Sequence, residues 1–97
     1  ILTGGANVYP AEVESAIESY PAVRSCAVIG LPDEDLGQAV HAIVQATDVS
    51  ELELTEHVAG ILTRYKVPRS IEFVDEPLRD DAGKVRRSQL LAERVVA

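Results

Sequence analysis

Apolar residues recur along this 97-residue chain in two rhythms, and the change from one to the other marks its elements. Ile1–Val8 is a short β-prone stretch broken by Gly4-Gly5, which suits a hairpin corner. Pro10 stands where a first helical residue belongs, and Glu12 and Glu14 favour a positive helix start. Val13, Ala16, Ile17 and Tyr20 then follow at i, i+3, i+4 and i+7, the stripe of an amphipathic helix that Pro21 ends. Val23–Ile29 is a β-rich run, and Gly30-Leu31-Pro32-Asp33 reads as its turn. Gln38–Gln45 alternates Val40, Ala42 and Val44 with His41, Ile43 and Gln45. A loop of about eight residues between these runs predicts an antiparallel pair.

Ser50 and Glu53 match a capping box, and Leu54, Val58, Ile61, Leu62 and Tyr65 predict a helix that Val67-Pro68 stops. Ser70–Asp75 alternates again as a strand. Glu76–Gly83 is a polar loop, and Val85–Val96 predicts a last helix, with Leu90, Leu91 and Val95 as its apolar positions. The order β-α-β-β-α-β-loop-α implies an α+β, two-layer sandwich, with helices over one face of a small, mainly antiparallel sheet. Ninety-seven residues with 46% apolar letters allow one core and one domain spanning 1–97.

Charge narrows the partners. A net charge of −7 argues against nucleic acid, which calls for a basic footprint. That average hides an acidic body, with ten acids and one base over residues 1–63. Residues 64–97 carry eight bases and six acids, so an anionic ligand is permitted there. No apolar run is long enough for a membrane helix and no leader pattern is present. A single cysteine excludes an internal disulfide and favours a reducing, cytoplasmic setting. The chain contains no Met, so it reads as a piece of a longer protein.

Candidate chemistry is sparse. Cys26, His41 and His57 are scattered without metal-ligand spacing, which leaves no metal site. Cys26 reads as a core residue, His41 as part of a strand face and His57 as an exposed helix position. No phosphate-cradling glycine motif is present. Paired acids such as Asp33/Asp35 and Asp80/Asp81 read as solvated turn residues. Two loops stand out. At Thr3–Pro10 the paired glycines leave the main chain open to a narrow substituent, or simply form a β-corner. At Asp81-Ala82-Gly83-Lys84-Val85 a glycine lets Lys84 project as a point charge suited to phosphate or carboxylate oxygen, or leaves it a plain exposed lysine.

Taken in order, four segments carry a resemblance: GGANVYPAEVE at Gly4–Glu14, PAVRSCAVIGLPDEDLGQ at Pro21–Gln38, RYKVPR at Arg64–Arg69 and FVDEPLRDDAGKVRR at Phe73–Arg87. Together they resemble the C-terminal lid domain of the adenylate-forming superfamily, in particular acyl-CoA and aryl-CoA ligases of the fatty-acyl or bile-acid-ligase-like branches. That resemblance implies an enzyme that activates a carboxylic acid with ATP and Mg²⁺ as an acyl-adenylate, which coenzyme A then converts to a thioester. It implies as partner an N-terminal adenylation domain of the same chain, holding ATP, Mg²⁺ and the acid. The 97 residues alone are then expected to be inactive.

By the same resemblance Lys84 is the lysine that enters the active site for adenylation. Gly4, Gly5 and Ala6 border the pantetheine passage, Asn7 approaches the nucleotide, and Tyr65 and Lys66 touch CoA. Arg64, Lys66 and Arg69 are placed to neutralise CoA phosphates or serve solubility alone. Two departures stand against the family pattern. Leu2 supplies no second cation where relatives often carry lysine or a β-branched residue, and Ala82 removes a loop hydrogen-bonding group. Two other readings stay open: a lid serving a carrier-protein phosphopantetheine, and a non-catalytic α+β binding module in which Lys84 has no special role.

Overall fold

The computed structural model describes residues 1–95. Its elements are β1 (Leu2–Thr3), β2 (Ala6–Asn7), α1 (Pro10–Glu18), β3 (Val23–Asp33), β4 (Gly37–Ala46), α2 (Glu51–Ala59), a 3₁₀ turn (Arg64–Lys66), β5 (Ser70–Val74) and α3 (Arg87–Arg94). β4 is the centre of the sheet. Along one edge it pairs antiparallel with β3, from Ser25↔Gln45 to Asp33↔Gly37. Along the other it meets β1 at Thr3↔Gly37 and runs parallel to β5 from His41↔Ser70 to Gln45↔Val74. β1 and β2 form the expected corner hairpin.

Alternation sorts β3 and β4 into two faces. Cys26, Val28, Val40, Ala42 and Val44 face α1 and α2, where they join Val13, Ala16, Ile17, Leu54 and Val58 in one buried cluster. Each fully buried branched side chain there contributes about 1.5–3 kcal/mol relative to exposure. This is the two-layer α+β core that the sequence implies. The reverse face carries Ala27, Ile29, His41 and Ile43, all buried, and α3 lies on that side against β3. The third helix therefore leaves the layer of the other two. Cys26 is fully buried and burial pushes its thiol pKa upward, as suits a core residue.

Several boundaries differ from the sequence reading. β3 runs on through Gly30–Asp33, and only Glu34–Leu36 separate it from β4. Pro32 is tolerated because β3 is an edge strand, where a missing N–H costs no ladder bond. The Asp33 carboxylate makes the tight turn, accepting from the Asp35 and Leu36 amides at 3.0 and 2.9 Å.

α2 begins at the expected capping box, with Glu53 N–H donating to Ser50 Oγ at 3.0 Å and Ser50 N–H to Glu53 Oε1 at 3.2 Å. The Ser50 amide first, and its hydroxyl after it, hold the Glu53 carboxyl below its ordinary pKa. The helix ends at Ala59, with Gly60 as its cap, well short of Val67. Ile61 and Tyr65 are accordingly exposed rather than part of its stripe. α3 begins at Arg87 and ends at Arg94, which leaves Val95 outside it and exposed. Val96 lies outside the described residues. His57 is half-buried, 2.7 Å from Ser19 Oγ and edge-on to the Tyr20 ring, so it helps join α2 to α1.

Candidate functional site

The first candidate segment is the β1–β2 corner. Gly4 and Gly5 adopt φ of 56° and 86°, a region that side chains rarely enter, which explains both glycines. Gly4 N–H donates to Leu36 O at 2.9 Å, tying the corner to the β3–β4 turn. A Cβ added at Gly5 would meet nothing, so the main chain there is open to approach. Thr3, Gly4, Ala6 and Leu36 form one wall of a groove of about 730 Å³, and Thr63, Arg64, Tyr65, Val67 and Arg69 complete it.

The fold thus brings Gly4, Ala6 and Tyr65 to one groove, from positions some sixty residues apart in sequence. Two guanidinium-bearing residues border an otherwise largely apolar surface, a combination that suits a slender ligand with an anionic end. Gly5, Asn7 and Lys66 are not among the lining residues. Lys66 turns away to Glu12, with Nζ–Oε1 2.9 Å, and this bond raises its pKa. Its ammonium also sits 5.7 Å from the centroid of the Tyr65 ring. Leu36, Thr63 and Val67 escaped the sequence reading. The first is delivered by the Asp33 turn and the others by the early end of α2, neither of which the apolar pattern marks.

The second candidate segment is the loop before α3, and one carboxylate organises it. Asp80 Oδ1 accepts from Ala82 N–H at 3.0 Å and Lys84 N–H at 2.9 Å. Its Oδ2 takes Arg86 Nε at 3.0 Å. The main chain adds Asp80 N–H to Lys84 O at 2.9 Å and Gly83 N–H to Asp80 O at 2.8 Å. These donors, the Lys84 amide foremost, hold the Asp80 carboxyl below its usual pKa. Gly83, at φ 79°, turns the chain, and Arg79 and Val85 close the loop as a bridge. By sequence Asp80 reads as a solvated turn residue, and the structure gives it this organising role instead. The signal for more was its place two and four residues before amides that a carboxylate can cap.

Lys84 itself is exposed, and among the described residues its ammonium meets no carboxylate. The geometry fixes the backbone at Lys84 and leaves the side chain exposed. Leu78 N–H donates to Ser25 Oγ at 3.0 Å, and Arg79 approaches Glu18 at 3.6 Å, so this loop is anchored at the Ser25↔Gln45 end of the hairpin. The glycine corner sits at the Asp33↔Gly37 end. Eight residue steps at about 3.3 Å place the two anchors roughly 26 Å apart.

A separate network crosses the reverse face. His41 Nδ1 lies 2.6 Å from Ser70 Oγ and Nε2 lies 3.1 Å from Glu72 Oε1. Arg94 grips both Glu72 oxygens at 2.8 Å. The guanidinium first, and His41 after it, bring the Glu72 pKa down to about 2. Among the described residues no three His, Cys, Asp or Glu side chains gather where they would hold a metal ion. No described helix is long and apolar enough to cross a membrane.

Comparison with known proteins adds the wider context. The AMP-binding enzyme C-terminal domain family matches residues 12–84. A fatty acyl CoA synthetase structure from Mycobacterium tuberculosis superposes with a TM-score of 0.90 at 43% identity, over 97% of this chain and 19% of that one. The o-succinylbenzoate CoA synthetase of Bacillus subtilis, solved in complex with its acyl-adenylate intermediate, gives 0.86 at 36% identity, over 99% of this chain and 19% of its own. A fatty acid–[acyl-carrier-protein] ligase of Streptomyces coeruleorubidus is 40% identical over 93 residues, which is 93% of this chain and 18% of that protein. The chain therefore spans about a fifth of the length of the relatives it matches.

Proposed function

This chain belongs to the AMP-binding enzyme C-terminal domain family, and from that premise we propose that it is the mobile lid of an ATP-dependent carboxylic acid–CoA ligase. An N-terminal adenylation domain of the same protein, in the cytoplasm, holds ATP, Mg²⁺ and the acid. The observation that carries the reading is that the two candidate segments are anchored at different ends of the β3–β4 hairpin. Two functional loops anchored roughly 26 Å apart on one rigid hairpin are suited to serving a single pocket in turn, by rotation of the whole domain.

In the first orientation Lys84 is the residue that works. A carboxylate attacking the α-phosphoryl group brings two anions together, and charge concentrates where they meet. An ammonium delivered on a loop whose backbone is already fixed offsets that repulsion most in the transition state. The exposed position of Lys84 and the Asp80-bonded loop beneath it support this role. In the second orientation the groove works. Gly4, Gly5 and Ala6 leave room for pantetheine, Tyr65 supplies an apolar wall, and Arg64 and Arg69 face CoA phosphates. Asn7 lies next to this wall on β2, where it reaches the nucleotide. Lys66 acts at the rim, exchanging its Glu12 partner for a phosphate.

The test is Lys84→Ala in the full-length ligase, with the two half-reactions assayed separately. Adenylate formation is expected to fall by roughly 10²–10³, while thioester formation from supplied acyl-adenylate stays near its original rate. Equal loss in both, or none in either, overturns the reading. A second reading, in which the acceptor thiol belongs to a carrier protein, is favoured by the 40% identity to the acyl-carrier-protein ligase. Offering full-length enzyme CoA and a phosphopantetheinylated carrier in parallel separates the two.

A further inference from the structure

α3 is an unusual helix to find in a fixed place. It has eight residues, no fully buried side chain and no side-chain N-cap. Helices this short are marginal on their own, and a cation in the first turn opposes the helix dipole. Yet Arg87 is its first residue. Leu90 and Leu91 are only half-buried, and paired charges clamp the helix at its two ends. Arg94 forks both oxygens of Glu72 at the last residue. At the first, Arg87 forks Glu14, with Nε on Oε2 at 3.2 Å and the terminal nitrogen on Oε1.

Glu14 is the more telling partner. It lies in the middle of α1 with its side chain 3% exposed, and Oε2 also accepts Val28 N–H at 2.9 Å from the edge of β3. A buried carboxylate is retained only when its charge is matched and its lone pairs are used. Here the match comes from Arg87, three residues beyond Lys84. One buried acid therefore joins α1, the edge of β3 and the start of α3, and so fixes where the Lys84 loop leaves the body.

We propose that Glu14 and Arg87 are positioning residues for adenylation: their fork sets the reach of the Lys84 ammonium, and neither touches the reacting groups. The inference rests on the role given to Lys84 above. Misplacing a reacting group by about 1 Å can cost up to 10²-fold, so breaking the fork has a kinetic signature distinct from loss of fold.

The experiment uses full-length ligase carrying Arg87→Met, Arg87→Lys, Glu14→Gln or Arg94→Met, with Lys84→Ala as reference. The readout is the ratio of adenylation rate to thioester-forming rate from supplied acyl-adenylate, which does not depend on how much of each preparation is folded. Arg87→Met and Glu14→Gln are expected to lower that ratio by roughly 10- to 100-fold. Arg87→Lys, which keeps the charge but loses the fork, falls between them and the original. Arg94→Met, at the far end of the helix, lowers thermal stability and leaves the ratio within about twofold, since it is some 10 Å along the axis from Arg87. An unchanged ratio in Arg87→Met, or the same fall in Arg94→Met, overturns the proposal while the lid reading stands. A Lys84→Ala enzyme with an unchanged ratio overturns that reading itself.

Discussion

The two ends of the β3–β4 hairpin are built by different means. At the glycine corner, main-chain bonds do most of the work: Gly4 to Leu36, Val8 to Ile1, and the short β1–β2 ladder. What they enclose is a concave groove with apolar walls and two basic residues at its border. At the other end the Lys84 loop is an exposed hairpin organised by the Asp80 carboxylate and followed by a helix held by paired charges. The contrast separates two ways of presenting a group. A slender ligand needs a fixed absence of side chains, which backbone geometry provides. A transferring charge needs a fixed origin and a free tip, which a capped loop provides.

That contrast can be broken from either side, and the largest effect is expected from Lys84→Ala in the proposed ligase, with the loss confined to adenylation. The complementary change is Gly5→Trp. An indole at φ 86° both strains the corner and projects into the open approach. Thioester formation is expected to drop by roughly 10- to 100-fold with adenylation within a few-fold of the original. The reverse pattern in separate half-reaction assays would mean that the roles of the two ends have been exchanged.

Asp80→Ala sharpens the comparison within the loop. It removes the acceptor of the Ala82 and Lys84 amides but no part of the core, so adenylation is expected to fall about tenfold with an unchanged thermal midpoint. A large loss of stability with no kinetic change would show that the carboxylate serves the fold rather than the loop.

The smallest effect concerns acid. Glu72 has a folded pKa of about 2, below its ordinary value near 4.5. A depressed carboxylate stabilises the fold above its unfolded pKa, and that contribution is lost as pH falls from about 4.5 toward 2. Glu72→Gln should therefore lower the thermal midpoint of this chain at pH 6 and flatten its decline between pH 5 and 2. An acid limb of unchanged slope would assign the decline to other carboxylates.

How much of this was legible depends on the scale of the signal. The Pro10 start of α1, the Ser50–Glu53 box and the alternation in β4 are local, and each appears where the residues place it. The fold departs from the pattern where punctuation and rhythm disagree with the chain's actual pairing and caps. Pro32 looked like a turn residue but lies in a strand with an open edge, and Tyr65 kept the helical rhythm after Gly60 had ended the helix. At the candidate site, Lys84 and the glycines stood out by position in the four resembling segments. The groove did not, because Leu36 and Val67 reach it only through folding. Glu14 was read as one more acid at a helix start, and nothing in the local sequence says that its side chain is buried under Arg87.

The position of Glu14 bears on something apart from rate. β3 is a long strand with one side unpartnered, the kind of border along which foreign strands add and aggregates grow. By placing a charged oxygen on the Val28 amide midway along that border, the chain spoils the row of donors that an intruder would read. A small domain with such a border can then move through crowded water without adhering to its neighbours.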